Sequence, residues 1–278
     1  MFLDQVAALT RERVERAMRE FPPYLLREAC RKTADPPSFA AALRGQRGDG
    51  VGVIAEIKRS SPSRGPIRPE LVVEELVVAY ERGGACALSV LTEPAFFSGS
   101  MEDLRQAARA TRLPVMRKDF ILHPYQLLEA RAAGASAVLL LVALLGEGGL
   151  AFMLGEARRA GLEALVEVHD EEEVEIALRA GADVLGINNR DLRTLHVDLD
   201  TTRRLARIVP GEMVLVSESG YSRAEDLAGL KALGVDAVLV GGHLSGSDDP
   251  EAALRELVRH ARPEQAAGAC RARESGKG

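Results

Sequence analysis

The feature that most constrains this chain is a junction that recurs along it. Arg82-Gly83-Gly84-Ala85-Cys86-Ala87-Leu88 returns as Ala132-Ala133-Gly134-Ala135-Ser136-Ala137-Val138. It returns again as Arg179-Ala180-Gly181-Ala182-Asp183-Val184-Leu185 and as Ala232-Leu233-Gly234-Val235-Asp236-Ala237-Val238. In each copy a helical pattern ends at a glycine, which can take the left-handed conformation that closes a helix. A short turn and a β-branched or leucine-rich run follow. The unit is helix then strand, and its recurrence identifies a repeating architecture.

Collecting all such runs gives eight candidate strands: Val51–Ile57, Ala87–Leu91, Val115–Lys118, Ala137–Val142, Ala164–Val168, Val184–Asn188, Met213–Ser217 and Ala237–Val240. Their starts lie roughly 20–35 residues apart, the spacing of a strand plus a crossover helix in a parallel sheet. They are short and mostly apolar, as strands buried on both faces are. Amphipathic patterns such as Glu70–Arg82, Gln126–Ala133, Glu171–Ala180 and Arg223–Leu233 separate them. Eight βα units predict a closed (β/α)8 TIM barrel, an α/β fold. An open doubly wound sheet is the alternative, but no GxGxxG turn follows the first strand. Leu3–Glu20 and Pro23–Lys32 read as extra N-terminal helices, with Ser38 a candidate N-cap for a third. Residues 1–262 are thus expected to form one barrel domain, of which 1–50 is a helical extension. That extension would either plug the barrel floor or fold over its mouth. Residues 263–278 are expected to be a flexible tail.

A 278-residue chain that is 46% hydrophobic needs no disulfide or metal to hold its core. Its net charge of -5 argues against a nucleic-acid partner. The three cysteines, Cys30, Cys86 and Cys270, are far apart and form no CxxC pair, so a reduced, cytoplasmic setting is expected. The N-terminus has charges too early for a signal peptide. The longest apolar stretch, Ala135 to Leu145, is too short to span a bilayer, so no membrane association is expected. Lysine occurs only at Lys32, Lys58, Lys118, Lys231 and Lys277; the remaining cationic side chains among 36 are arginines.

Chemistry in such barrels sits at the C-terminal ends of the strands. Those ends carry Glu56 and Lys58, Lys118 and Asp119, Glu167 and His169, Asn188 and Arg190, Glu218 and Ser219, and Gly241-Gly242. Side chains alternate along a strand, so Glu56 and Lys58 share one face. Lys58 and Lys118 stand out in an arginine-rich chain. Arginine supplies charge but cannot readily release a proton; lysine can, once burial or a second cation lowers its pKa. The pair suggests proton transfer or Schiff-base chemistry rather than ordinary ion pairing. Glu167 interrupts an apolar run and reads as a general acid of raised pKa, or as a structural anion. Glu218 has the same two readings, with structural support the stronger. Ser219-Gly220 and Gly241-Gly242 follow the seventh and eighth strands, where barrels often bind phosphate through backbone N–H groups. Phe96, Phe97 and Phe120 could wall an aromatic ligand, and Leu139 and Val240 join the candidate lining. The loop Arg59 to Pro66, rich in Ser and Pro, reads as a lid or as an exposed connection. His123, His169, His196, His243 and His260 lack metal-ligand spacing, so surface or capping roles are expected and no metal site is assigned.

These residues resemble a known family. Ile54-Ala55-Glu56-Ile57-Lys58-Arg59-Ser60-Ser61-Pro62-Ser63 is similar to the first-strand signature of indole-3-glycerol-phosphate synthases. Leu88-Ser89-Val90-Leu91-Thr92-Glu93, Arg117-Lys118-Asp119-Phe120-Ile121, Leu165-Val166-Glu167-Val168-His169, Gly186-Ile187-Asn188-Asn189-Arg190 and Ser217-Glu218-Ser219-Gly220 fit the same family. The resemblance runs from about Leu43 to His260. It departs at Val240-Gly241-Gly242-His243, where a glycine followed by a small or acidic residue is the pattern.

The resemblance implies ring closure of 1-(2-carboxyphenylamino)-1-deoxyribulose 5-phosphate with loss of CO2 and water, in tryptophan biosynthesis, without cofactor or metal. It implies Lys118 as the general acid on the ketone, Glu167 as an assistant in dehydration, and Glu56 with Asn188 orienting substrate and protons. Lys58 would meet the substrate's anionic groups and share in proton transfer, with the step assigned to each lysine left open. Ser61 and Arg190 would hold the anthranilate carboxylate, and Ser219, Gly220, Gly241 and Gly242 the phosphate. The partner is a small phosphorylated anthranilate derivative, with other tryptophan-pathway enzymes as candidate companions. A Schiff-base aldolase, a phosphosugar isomerase and an inactive scaffold barrel are the competing readings.

Overall fold

A computed structural model of the chain describes residues 2–46, 48, 50–227 and 229–261; the tail expected at 263–278 lies outside the described residues. Eight strands form the barrel: β1 Gly52–Ile57, β2 Ala87–Leu91, β3 Val115–Lys118, β4 Ala137–Leu141, β5 Glu163–Val168, β6 Val184–Asn188, β7 Val214–Glu218 and β8 Ala237–Val240. Each is parallel to the next, and β8 pairs with β1 to close the ring. Ala55 is level with Leu88 on one side and Val240 on the other.

The period of two divides the strand residues into two apolar groups. Val53, Ala55, Val90, Val138, Val166, Ile187 and Leu215 belong to an outer layer under the helices. Ile54, Met116, Leu165 and Val216 belong to a second cluster that fills the barrel. Two residues further along the same strands stand Glu56, Lys118, Glu167 and Glu218. The barrel is therefore apolar at mid-height and charged one step higher, toward the C-terminal ends.

The N-terminal extension reaches both ends of the barrel, so the two placements left open by the sequence are both realised. Helix α1 (Phe2–Glu20) begins at the mouth, with Phe2 edge-on to Phe96 and Phe120 at centroid distances of 5.1 and 6.2 Å. Arg13 on the same helix pairs with Asp119 at 2.7 Å. Helix α2 (Pro23–Lys32) packs beside the helix Pro124–Ala132, whose Tyr125 hydroxyl donates to the carbonyls of Ala17 and Phe21. Helix α3 (Phe39–Arg44) is N-capped by Ser38, as expected. Glu163, at the N-terminal start of β5, accepts from Ser38 Oγ and the Ala40 N–H. Phe39, Ala40 and Leu43 then enter the inner cluster with Val184, Val214 and Ala237, closing the floor.

One helix was expected where none forms. Arg223–Leu233 contains two short 3-10 turns, Ala224–Leu227 and Lys231–Leu233. Gly229 lies between them at φ +81°, a left-handed backbone that interrupts any continuous helix. The fourth strand ends one residue early, because Val142 already starts the helix Val142–Arg159.

Phe39 is fully buried in the floor, at the opposite end from the charged layer. Phe39→Ala should lower the unfolding free energy by about 3–5 kcal/mol, the usual cost of emptying an aromatic core site. Urea unfolding would measure this. A loss below about 1 kcal/mol would mean that the extension does not seal the barrel.

Candidate active site

The charged layer lines a cavity of about 350 Å³ at the C-terminal end of the barrel. Glu56, Lys58, Ser61, Phe97, Lys118, Phe120, Leu139, Glu167, Asn188, Arg190, Glu218, Ser219, Gly220, Val240, Gly241 and Gly242 all border it; Phe96, the other aromatic candidate, does not, and packs instead against Phe2. The side chain of Val240 packs in the outer apolar layer, so its part in the cavity wall is backbone.

Lys118 is the hub. Its Nζ lies 2.5 Å from Glu218 Oε2 and 3.4 Å from Glu167 Oε2. Asn188 donates from Nδ2 to the other oxygen of Glu167, at 3.0 Å. Lys58 pairs with Glu56 Oε1, and Ser89 donates to Glu56 Oε2 at 3.4 Å. Lys58 Nζ also stands 5.8 Å from the centroid of the Phe97 ring, within cation–π range.

Two expectations about protonation are reversed. Burial alone would lower the pKa of Lys118, but the Glu218, Glu167 and Glu56 carboxylates outweigh it and hold the pKa above the ordinary lysine value. Burial alone would raise Glu167. Lys118, His169 and the Asn188 hydrogen bond outweigh it, so Glu167 is held below the usual carboxylate range. Glu218 is the carboxyl that burial pushes up. Lys118 offsets part of that rise, while the charges of Glu167 and Glu56 add to it. The acid of raised pKa in this cavity is therefore Glu218, not Glu167.

Anion-binding features lie on the other side. Ser219 and Gly220 have consecutive positive φ values, +65° and +96°, which turns the chain sharply after β7. Gly241 precedes a short helix, Gly242–Ser245. The Arg64 guanidinium reaches over Gly242, passing 3.2 Å from where a Cβ would stand. The missing side chain at 242 is thus space used by Arg64. Arg190 donates to the Leu195 carbonyl at 2.9 Å. Burial, with Arg64 nearby, lowers its pKa, and Glu56 partly opposes this. Among the described residues neither Arg64 nor Arg190 has a carboxylate at ion-pair distance. Two arginines of this kind favour an anionic occupant.

A profile of the family "Indole-3-glycerol phosphate synthase" matches residues 3–257. The chain belongs to this family. It is 51% identical over 227 residues to "Indole-3-glycerol phosphate synthase 2" of Streptomyces coelicolor, covering 81% of this chain and 87% of that one. It is 43% identical to the indole-3-glycerol phosphate synthase of Carboxydothermus hydrogenoformans, covering 93% and 100%. Among solved structures, 3-hexulose-6-phosphate synthase from Salmonella typhimurium has a TM-score of 0.61 at 15% identity, covering 77% of this chain and 100% of that one. That likeness is one of fold.

Several cavity residues were not singled out from the sequence. Phe2 comes from the extension, and no local pattern marks a contact across more than a hundred residues of chain. Arg64 sits in the loop read as a lid but was not separated from its neighbours there. Leu91, Leu141 and Leu239 are inward, strand-end positions that alternation alone could have found. His123 caps the helix Pro124–Ala132 as expected. His169 departs from its expected surface or capping role, because its ring lies against Glu167.

Gly241 lies beside Glu56, and a Cβ there would overlap the Glu56 carboxylate. Gly241→Ala should therefore displace Glu56 and Lys58 while leaving the outer layers intact. The expected result is a fall in kcat/KM of roughly tenfold or more, with an unchanged circular dichroism spectrum. Parent-like kcat/KM would show that Glu56 need not occupy its present position.

Proposed function

We propose that this cavity carries out the family's ring closure on 1-(2-carboxyphenylamino)-1-deoxyribulose 5-phosphate, with Lys118 as the proton donor. The observation that carries the assignment is a charged lysine among carboxylates, set between an aromatic wall and an anion cradle. Phe97 and Phe120, 6.3 Å apart by centroid, offer the wall for the anthranilate ring. Arg190 and Ser61 stand where its carboxylate would lie. The backbone at Gly220, Gly241 and Gly242, with Arg64, offers the phosphate site.

In this reading the ring carbon bearing the carboxylate attacks the ketone, and Lys118 gives its proton to the carbonyl oxygen. A C–C bond forms and the oxygen becomes a hydroxyl. Loss of CO2 returns its electron pair to the ring. Dehydration then requires one proton removed and one supplied to the departing hydroxyl. Glu167, ionised at rest, suits the first task. Glu218, whose carboxyl is pushed toward the neutral form, suits replacement of the proton on Lys118. Glu56 and Asn188 hold Lys58 and Glu167 in place.

The protonation of Lys118 also bears on the Schiff-base alternative. A nucleophilic lysine must be neutral. Here the surrounding carboxylates favour the ammonium form. Borohydride with a keto-sugar phosphate should therefore trap no adduct on Lys118. An isomerase would release no CO2. The cytoplasmic setting is proposed on the same reading, with Cys30 and Cys86 as free thiols. Among the described residues no helix is long and apolar enough to cross a membrane.

The assay is the rise of indole absorbance or fluorescence when the carboxyphenylamino substrate is added. The chain contains no Trp, so the background is low. Lys118→Arg keeps the charge but is a poor acid, and should lose about 10²–10⁴-fold in kcat with much less change in KM. Glu167→Gln should bind substrate yet turn over as poorly. Near-parent rates in Lys118→Arg would reassign the proton donor, with Lys58 the first candidate.

A further inference from the structure

We propose that His169 is a positioning residue for this reaction: an imidazolium clamped between Glu167 and Glu173 that keeps Glu167 ionised and fixes its carboxylate against Asn188 and Lys118. The proposal rests on the reading that Glu167 takes part in turnover.

The local sequence builds the clamp. Asp170 caps the helix Glu171–Arg179, accepting from the Glu173 N–H at 2.9 Å. That cap brings Glu173 back toward the strand end. Its Oε2 accepts from the His169 backbone N–H at 2.8 Å and lies 3.0 Å from His169 Nδ1. The ring is thereby oriented so that Nε2 stands 3.3 Å from Glu167 Oε1, an ion-pair contact without hydrogen-bond alignment. Both ring nitrogens thus face carboxylate oxygens. A neutral imidazole would turn one lone pair toward an anionic oxygen; only the imidazolium presents N–H on both sides.

Charge balance favours the same state. Besides Asp119, which is paired with Arg13 and Arg117, the cavity's acid–base side is lined by Glu56, Glu167 and Glu218 with the lysines Lys58 and Lys118. His169 supplies a third cation immediately behind that set. The charged groups around it are Glu167 from β5, Glu173 from the following helix, and Asp191 after β6, whose own pKa is lowered in part by His169. Burial would lower the His169 pKa, but Glu167 and Glu173 outweigh it and raise it to about 10. The side chain is 17% exposed and does not line the cavity, so it acts through Glu167 rather than on substrate.

The clamp is tested first without turnover. Imidazole C–H resonances of the whole protein, followed by NMR against pH, should show His169 still protonated at pH 8. A transition near 6.5 would overturn the clamp. Turnover then tests its consequence. Removing a cation from beside a carboxylate raises that carboxylate's pKa. His169→Gln should therefore move the acid limb of the kcat profile up by about one pH unit or more, with little change in KM. Glu173→Gln leaves His169 charged at acid pH, so it should leave that limb nearly in place while lowering the pH at which the His169 resonances titrate; His169→Arg should restore the limb that His169→Gln moves. A uniform fall in kcat with an unmoved limb in His169→Gln would reduce His169 to a packing role and sink the proposal. Parent-like turnover in Glu167→Gln, alongside a protonated His169, would instead overturn the catalytic reading of Glu167, and with it the positioning role.

Discussion

The interaction on which the rest of this structure depends is the contact of Lys118 with Glu218 and Glu167 inside the barrel mouth. Unit charges about 4 Å apart interact by about 4 kcal/mol at an effective dielectric of ~20. Three inward carboxylates without cations would repel one another and lose their hydration together. Lys118 bridges two of them and Lys58 holds the third. Such a network tolerates no missing partner, because the remaining charge is left buried and uncompensated. It also dictates its surroundings. Gly186 lies beneath Glu218 and Gly241 beside Glu56, where a side chain would strike the carboxylates. Glu218 Oε1 has no hydrogen-bond partner among the described residues, which is consistent with a carboxyl pushed toward its neutral form.

The barrel converts a sequence period into this arrangement. In each of four strands an apolar inward residue is followed, two positions on, by a charged one: Ile54 and Glu56, Met116 and Lys118, Leu165 and Glu167, Val216 and Glu218. None of the four is the ladder partner of another: Glu56 is level with Ser89 and Met116, Glu167 with Gly186 and Val216, and the strand tilt of a closed barrel brings such staggered positions to similar heights. One pleat separates packing from chemistry. This is why strand ends could be located from alternation and turn glycines, and why the cavity lining could be named before its geometry was known. The closed topology was legible for the same reason, since eight repeats of one αβ unit leave few ways to bury every strand.

What could not be read from the chain depends on neighbours distant in sequence. The directions of the Lys118 and Glu167 shifts follow from which charges converge, and burial alone points the opposite way for both. Phe2 reaches the mouth only because Arg13 and Tyr125 fasten the extension to the third βα unit. Arg223–Leu233 has an amphipathic pattern, yet the backbone at Gly229 overrides it. His169 closes a family-like motif, but the motif does not show what its ring meets; its place beside Glu167 is set by the cap of the next helix.

The use of lysine and arginine at the strand ends has a physical basis in the same alternation. Arg117 and Lys118 are adjacent, so they face opposite sides of β3. Arg117 points outward and is fully buried. Its guanidinium forks onto Thr92 Oγ1 at 3.1 Å, the Gln126 carbonyl at 2.8 Å, Asp119 at 2.9 Å and Glu129 at 3.2 Å. After β1 the pair is reversed in order but not in role. Lys58 faces the cavity, while Arg59 holds both oxygens of Asp103, at 3.0 and 2.8 Å, and the carbonyls of Pro69 and Leu71. A planar fork with several fixed donors suits a structural knot, and its permanent charge is no disadvantage there. A compact ammonium that can release a proton suits the cavity. Exchanging the two at either strand end would leave the knot short of donors and the cavity short of a transferable proton. The scarcity of lysine in this chain therefore marks, at these two positions, the division between the side chains that hold the barrel together and those the proposed mechanism uses inside it.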